Sequence, residues 1–149
     1  MSHEVPTRTS VKALLQYEGA SENLGNILVL REKTGDNSGK YHFPGGHVEE
    51  GESLEEALRR ELREETSIEK VEIDQSPYFQ CEWPAKFGGE VIRVVGQFYV
   101  CKTEQEAVIL SPEHDHALWM PPKDYQLHPM VSHSEQIIEE FLKTRGQMS

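Results

Sequence analysis

One stretch of 23 residues, Gly46 to Ile68, constrains this chain most, because it predicts a short helix that carries core leucines and glutamates together. Ser53 followed three residues later by Glu56 is the pattern of a capping box, so the helix should begin there and run to about Thr66. At about 100° per residue, a single apolar arc is formed by Leu54, Ala57, Leu58 and Leu62.

Two glutamates fall on this same arc. Glu61 and Glu65 lie four residues apart and project with the leucines, and Glu64 lies at the margin of the arc. Burying unpaired carboxylates is costly, and clustered carboxylates raise each other's pKa. A hard divalent cation removes the conflict, because Mg²⁺ and Mn²⁺ bind carboxylate, carbonyl and phosphate oxygens. An exposed acidic face is the alternative, but it would place the glutamates away from the leucines. The helix therefore predicts a metal-bound diphosphate site.

A tight turn, Phe43-Pro44-Gly45-Gly46, comes just before the acidic helix. Glycine lets a backbone approach a ligand closely and adopt conformations that other residues avoid. A Pro-Gly-Gly turn is weak evidence alone, but its position beside the glutamates gives it weight.

Turn and helix together resemble the signature of the Nudix hydrolases, G-x5-E-x7-R-E-U-x-E-E-x-G-U, in which U is a bulky aliphatic residue. One position departs from the pattern, because Ser67 stands where the family has glycine, at the helix exit. The matching residues are Gly46, Glu52, Arg60, Glu61, Leu62, Glu64, Glu65 and Ile68. The resemblance implies a single domain over residues 1–149 with the Nudix-type α/β/α sandwich, a mixed β-sheet between helices.

The resemblance also implies residue roles. Arg60 would orient a carboxylate and keep it ionised through a bidentate contact. Glu52 would be either the partner of Arg60 or a metal ligand through water. Glu61 or Glu64 would be the general base. The implied metal ligands, for Mg²⁺ or Mn²⁺, are the Gly45 carbonyl, Glu52, Glu61, Glu64 and Glu65.

Some family members take their base from a later loop, and here residues 111–116 are predicted as that loop. Glu113 is our choice for an additional ligand or base, and Asp115 is second. His114 and His116 could form a zinc pair, but no further ligands stand at a recognisable spacing, so surface histidines are the favoured interpretation.

The expected reaction is metal-dependent hydrolysis of the diphosphate linkage in a nucleoside diphosphate derivative. A nucleoside triphosphate cleaved to monophosphate and pyrophosphate is the leading substrate. ADP-ribose or a nucleotide sugar is the alternative, because Pro84 stands sixteen residues past Ile68, where proline marks many ADP-ribose hydrolases of the family. A catalytically silent nucleotide sensor is the third hypothesis. A calcium-binding EF-hand fails, because no loop has its ligand spacing.

Substrate contacts are predicted from basic and aromatic residues. Arg31 follows the apolar run of residues 27–30 and should emerge at a strand end. Lys40 and Arg93 are further candidates for the phosphates, and Trp83 could stack on a base. Each could equally serve a structural or solvating role.

Composition limits the partners and the compartment. A net charge of −11 argues against a nucleic-acid polymer and leaves small nucleotides, bridged by cations. The chain has no apolar run long enough for a membrane span, and its first ten residues lack a signal peptide, so a cytoplasmic protein is expected. Cys81 and Cys101 should be reduced thiols. Many family members dimerise, so a homodimer is among the expectations.

Hydrophobic patterning predicts the remaining elements. A final helix should be capped by Ser132 or Ser134. The predicted extended segments are Val11 to Tyr17, Asn26 to Glu32, Tyr41 to Phe43, Val71 to Phe79 and Val91 to Cys101, with a connection at residues 86–89.

Overall fold

A mixed β-sheet lies at the centre of the computed structural model, which describes residues 5–146. Among these residues, no helix is both long and apolar enough to span a membrane. A short 3₁₀ helix covers Pro122–Leu127. The strands and helices are β1 (Thr7–Tyr17), β2 (Ile27–Glu32), β3 (Tyr41–His42), β4 (Gly45–His47), α1 (Leu54–Thr66), β5 (Glu72–Ile73), β6 (Phe79–Phe87), β7 (Glu90–Thr103), β8 (His114–Met120) and α2 (Ser132–Gly146).

The sheet is built around β1 and β7, which pair in parallel over the whole length of β1. β6 and β7 form an antiparallel hairpin whose turn, Gly88-Gly89, has positive φ at both residues, as tight hairpin turns require. β5 pairs with the end of β7, and β8 pairs with the full length of β2.

Residues 41–47 fill a gap between two diverging strands. β1 and β2 pair at Gln16 and Ile27, and further along β3 pairs with β2 while β4 pairs with β1. Since β8 occupies one edge of β2, β3 must use the edge that faces β1. The Pro44-Gly45 turn is therefore held inside the sheet, between strands that both carry functional side chains.

Helices cover both faces of the sheet. α1 packs Leu58 and Leu62 against the β1 residues Val11 and Leu15. α2 packs on the opposite face in a cluster that includes Leu14, Phe98, Ile137, Ile138 and Phe141. The alternation of Leu14 and Leu15 between the two clusters follows from the period of two in a strand. The predicted α/β/α sandwich is confirmed.

Two predicted segments were wrong in extent. Val71 to Phe79 was expected as one strand, but only Glu72–Ile73 is a strand, and the longer strand Phe79–Phe87 follows it. The predicted loop at residues 111–116 ends at Glu113, because His114 begins β8. Both strands mix polar and apolar residues, so their sequences show no clear strand pattern. They are strands because they pair with partners distant in sequence.

The two cysteines are free thiols, as predicted. Cys81 lies opposite Gly96, and Cys101 lies opposite Ile73, so the two thiols are not paired. Burial raises the pKa of the Cys101 thiol to about 12, which keeps it protonated and unreactive.

Helix α1 begins and ends as its sequence indicates. The Ser53 hydroxyl accepts a hydrogen bond from the Glu56 N–H, and the Glu56 carboxylate accepts one from the Ser53 N–H, which completes the capping box. At the other end, Ser67 adopts a left-handed conformation with φ 64° and closes the helix through a bond from its N–H to the Arg63 carbonyl. This is the position where glycine is usual.

Replacing Ser67 with glycine is expected to stabilise the protein by about 0.5 to 1 kcal/mol, because a Cβ is strained in the left-handed region. Ser67→Ala keeps the Cβ and should gain nothing. Urea denaturation of the three proteins measures the difference. Equal stabilisation by alanine and glycine would contradict the explanation.

Candidate metal and phosphate site

A cleft of about 570 Å³ opens where α1 faces the turn between β3 and β4. Arg8 enters it from β1, and Glu113 lines it just before β8 begins. The structure thus brings together most of the residues predicted from the helix and turn. Those lining the cleft are Gly45, Gly46, Arg60, Glu61, Glu64, Glu65 and Glu113.

Glu65 is the most deeply buried carboxylate of the cleft, with 6% of its surface exposed. Its Oε1 accepts a hydrogen bond of 2.7 Å from the Gly45 N–H. Burial raises the pKa of Glu65 to about 7, and the charge of Lys12 and the Gly45 bond only partly oppose it. The neighbouring charges therefore do not fully offset the cost of burying this carboxylate.

Glu61 lies directly against the backbone of the turn. A Cβ built on Gly46 would come within 2.6 Å of the Glu61 carboxyl carbon and one of its oxygens. Burial also raises the pKa of Glu61, although Arg60 opposes this shift. Glycine at position 46 is needed for the close approach of this carboxylate to the main chain.

Gly46→Ala should lower kcat at least tenfold with little loss of stability, because the methyl group displaces only the flexible end of Glu61. Gly45→Ala should instead unfold the protein, since its Cβ would meet the Val11 carbonyl oxygen at 2.0 Å and its φ is 143°. Circular dichroism melting and steady-state kinetics separate the two effects. Wild-type turnover in Gly46→Ala would refute the role given to Glu61.

Arg60 makes hydrogen bonds to three glutamates of this region. Its Nε and Nη2 contact both oxygens of Glu52, at 2.6 and 3.0 Å, and Nη2 also donates to the His47 carbonyl. Nη1 donates to Glu61 at 3.0 Å and to Glu64 at 3.3 Å. The guanidinium lowers the pKa of Glu52, and the Glu52 contact raises the pKa of Arg60. Of the two roles proposed for Glu52, the geometry favours that of a partner for Arg60.

Glu64 and Glu113 are the accessible carboxylates of the cleft. The Glu64 side chain is 58% exposed and has a long contact of 3.3 Å to Arg60. Glu113 is also exposed, and one of its oxygens lies within 4.8 Å of ligand atoms of Glu65 and His114. Both carboxylates are free to meet water or a phosphate.

Beside the cleft lie three residues that the sequence reasoning missed, Glu32, His42 and Lys12, and one that it assigned to the surface, His114. Glu32 ends β2, His42 lies in β3, His114 begins β8, and Lys12 lies opposite Gly45 in β1. Lys12 Nζ stands 3.3 Å from His42 Nδ1. No local spacing joins these residues, because four separate strands bring them together.

His114 corrects the interpretation of the two histidines as surface residues. It is buried, with 1% of its side chain exposed, whereas His116 is exposed as expected. Burial disfavours the charged form of His114, but the hydrogen bond to Glu32 and the charges of Glu65 and Glu32 outweigh it and raise the pKa of His114. Burial lowers the pKa of His42 to about 4, so this ring is neutral.

The predicted substrate-binding residues do not line this cleft. Arg31 is paired with Asp115 at 2.7 Å, and Lys40 is exposed just before β3 begins. Trp83 stacks on His133 with ring centroids 4.2 Å apart. Trp83 and Arg93 line a second cleft of about 610 Å³. Substrate contact by these four residues stays a prediction.

The carboxylate cleft fits a divalent cation. Glu61 and Glu65 both have raised pKa values from burial, and their oxygens stand near the main chain of the turn. A hard cation accepts such oxygens and removes the cost of burying their charge. The donor set therefore suits Mg²⁺ or Mn²⁺, with Glu61, Glu64, Glu65, Glu113 and the Gly45 carbonyl as residues that would hold it.

Glu65 predicts a pH-dependent stability. The folded carboxyl holds its proton up to about pH 7, while the unfolded one ionises near pH 4.5, so its contribution to stability is lost as pH rises through this window. Without metal, we expect Glu65→Gln to gain about 3 kcal/mol over the wild type between pH 4.5 and 7.5. Urea denaturation in chelator measures this difference. A constant difference would show that Glu65 does not titrate there.

Clustered glutamates beside a glycine turn, on a mixed sheet between helices, suit metal-dependent hydrolysis of phosphoric anhydrides. The chain belongs to the Nudix family of hydrolases, whose NUDIX domain model matches residues 6–141. The family members are hydrolases that act on nucleoside diphosphate derivatives.

Two named relatives are similar in sequence. Nudix hydrolase 2 of Arabidopsis thaliana is 32% identical over 114 residues, which cover 73% of this chain and 39% of the plant protein. The nucleoside triphosphatase NudI of Salmonella arizonae is 27% identical over 128 residues, covering 83% of this chain and 88% of NudI. The chain thus spans well under half of the plant relative and most of the bacterial one.

Solved structures share the fold. The MutT protein from Methanosarcina mazei Go1 superposes with a TM-score of 0.78 at 27% identity, covering 97% of this chain and 99% of that one. The NUDIX domain of Shewanella oneidensis NrtR, solved with ADP ribose, has a TM-score of 0.71 at 20% identity, covering 96% and 89%. The family therefore includes proteins that bind small nucleotides.

Proposed function

We propose that this protein hydrolyses a nucleoside triphosphate to the monophosphate and pyrophosphate at the carboxylate cleft. The observation that carries the proposal is the Arg60 guanidinium, which holds Glu52, Glu61 and Glu64 around one opening beside the Gly45-Gly46 turn. A divalent cation bound there would neutralise the diphosphate charge and lower the pKa of the attacking water.

The residues of the cleft have separate roles in this reaction. Glu61 and Glu65 would hold the ion, and Arg60 keeps Glu61 ionised and oriented. Glu64 accepts a proton from water as the oxygen of that water attacks phosphorus. The bond between this phosphorus and the bridging oxygen breaks. Glu64 is suited to this role because its side chain is exposed and lightly held. Glu113 completes the ligand set from the β8 side.

Two observations favour a triphosphate. The NudI relative, named as a nucleoside triphosphatase, matches over most of both chains. The cleft is also open and polar, and the basic side chain of Arg8 lines it for an extended phosphate tail.

ADP-ribose or a nucleotide sugar is the second candidate. Pro84 lies in β6 beside Trp83, and both line the second cleft. An aromatic ring at such a cleft could stack on a base or on a second sugar-linked group. The ADP-ribose complex of the NrtR domain shows that this ligand suits a protein of the same fold.

A catalytically silent sensor is the third candidate. It requires binding without turnover, which the intact Glu61, Glu64 and Glu65 set disfavours.

Cys81 and Cys101 are free thiols, which supports the proposed cytoplasmic location. The expected homodimer stays a prediction, which light scattering on the purified protein checks.

Product analysis by liquid chromatography and mass spectrometry tests the proposal. The protein is incubated with Mg²⁺ or Mn²⁺ and a panel of nucleoside triphosphates, ADP-ribose, nucleotide sugars and dinucleotides. Monophosphate and pyrophosphate from triphosphates are expected. Cleavage confined to ADP-ribose or a nucleotide sugar would replace the leading substrate, and metal binding without any turnover would support the sensor.

A further inference from the structure

We propose that Glu32, His42 and His114 form a binding site for a transition-metal ion of the Zn²⁺ type, next to the carboxylate cleft. The three residues come from the end of β2, from β3 and from the start of β8. One ligand atom of each lies within 4.8 Å of the other two. Both histidines are buried, and Glu32 is partly exposed, which leaves an entry path for an ion.

The spacing of the ligand atoms suits a small cation. His42 Nε2 stands 3.0 Å from His114 Nε2 and 2.9 Å from Glu32 Oε1, and His114 Nε2 stands 3.8 Å from the same oxygen. Ligands about 2.1 Å from a tetrahedral ion are about 3.4 Å apart, and about 3.0 Å apart at a right angle. The three observed separations bracket these values, so small movements would complete the coordination.

Hydrogen bonding leaves the cluster incompletely satisfied. The Lys12 ammonium faces His42 Nδ1, so the proton of a neutral His42 lies on Nε2, where one N–H faces both Glu32 and His114. His114 Nδ1 is buried without a hydrogen-bond partner among the described residues. A cation bound to His42 Nε2, His114 Nε2 and Glu32 Oε1 would replace the close nitrogen–nitrogen contact with metal–ligand bonds.

A β-bulge aims His114 into this cluster. Between Arg31 and Glu32 the register with β8 shifts, so that Arg31 lies opposite His116 while Glu32 lies opposite His114. The extra residue is Asp115, which points outward and pairs with Arg31. Bulges redirect side chains at functional sites, and this one places a buried imidazole next to a carboxylate.

The donor set differs from that of the carboxylate cleft. Two imidazole nitrogens and one carboxylate oxygen favour Zn²⁺, Co²⁺ or Ni²⁺, whereas Mg²⁺ prefers an all-oxygen site. Glu65 Oε2 stands 3.9 Å from His114 Nε2, so the fourth position faces the cleft. Binding through His42 Nε2 places the ring proton on Nδ1, and Lys12 must then turn from this nitrogen toward the cleft carboxylates.

Cobalt titration tests the site in the full chain without a histidine tag. Millimolar Mg²⁺ is present so that the carboxylate cleft is filled, and visible absorption reports Co²⁺ bound to nitrogen ligands. One equivalent should bind to the wild type. His42→Asn should weaken binding at least tenfold, while the matched control His116→Asn and the cleft variant Glu64→Gln should retain it.

The outcome that overturns the proposal is equal Co²⁺ binding in the wild type and His42→Asn, or loss of binding in Glu64→Gln with retention in His42→Asn. Loss in Glu64→Gln alone would place the ion in the carboxylate cleft. A second measurement needs no variant: with Zn²⁺, the Nε2 resonances of two of the seven histidines should shift in ¹⁵N spectra of the wild type. Unshifted histidine resonances at one equivalent of Zn²⁺ would also refute the site.

Discussion

Glu64→Gln is expected to lower kcat by about 10³ while the fold and its melting temperature stay unchanged. Glutamine keeps the size of the side chain and its contact to Arg60, but it cannot accept a proton from water or bring negative charge to a metal. Because Glu64 is exposed, its loss leaves no buried charge without a partner. Single-turnover kinetics on the substrate found in the panel measures the effect.

Glu55→Gln is the matched control, since Glu55 lies on the same helix and makes a surface contact of 3.4 Å to Arg59. Such pairs contribute a few tenths of a kcal/mol, so activity should be unchanged. Wild-type kcat in Glu64→Gln would remove Glu64 from the mechanism and direct attention to Glu113. A parallel Glu113→Gln variant distinguishes the two carboxylates.

Arg60→Lys is expected to lower kcat about 10²-fold and to destabilise the metal-free protein by about 2 kcal/mol. Lysine offers a point charge in place of a planar fork, so it cannot hold both oxygens of Glu52 while also reaching Glu61. With 16% of its side chain exposed, Arg60 acts where water screens charge weakly. Three clustered carboxylates would then repel one another without a common partner.

Urea denaturation with and without Mg²⁺ checks this prediction. Added Mg²⁺ should restore part of the lost stability, because the cation also neutralises Glu61 and its neighbours. Arg63→Lys, an exposed position on the same helix, should change stability by less than about 0.5 kcal/mol. If Arg60→Lys matched Arg63→Lys in both activity and stability, Arg60 would be a surface arginine.

Local patterns determined the helix and its chemistry in advance. The capping box, the arc of Leu58 and Leu62, and the burial of Glu65 all follow from residues within one or two helical turns of each other. Helix periodicity makes such relations readable, because side chains three and four positions apart share a face. The departure at Ser67 was likewise visible as a residue in the place of a helix-ending glycine.

The pairing of strands across the sheet was harder to predict from the sequence. The strand Phe79–Phe87 mixes polar and apolar residues, and its partner β7 is what makes it a strand. β8 was taken for a loop at its start, because His114, Asp115 and His116 are polar residues that a bulge distributes over two faces. Strand propensity depends on such cross-strand neighbours, which are distant in sequence.

The sequence alone determined the family, the layered fold, the acidic helix and the glutamates of the cleft, because those residues are close together in the chain and interact through one helix and one turn. Only the tertiary structure decided that Arg31 pairs with Asp115, that Trp83 stacks on His133, and that Glu32, His42 and His114 meet. These contacts join separate strands, or a strand and a helix, and the two named histidine and arginine pairs are 72 and 84 positions apart. They depend on sheet register and on helix packing, which no local pattern specifies.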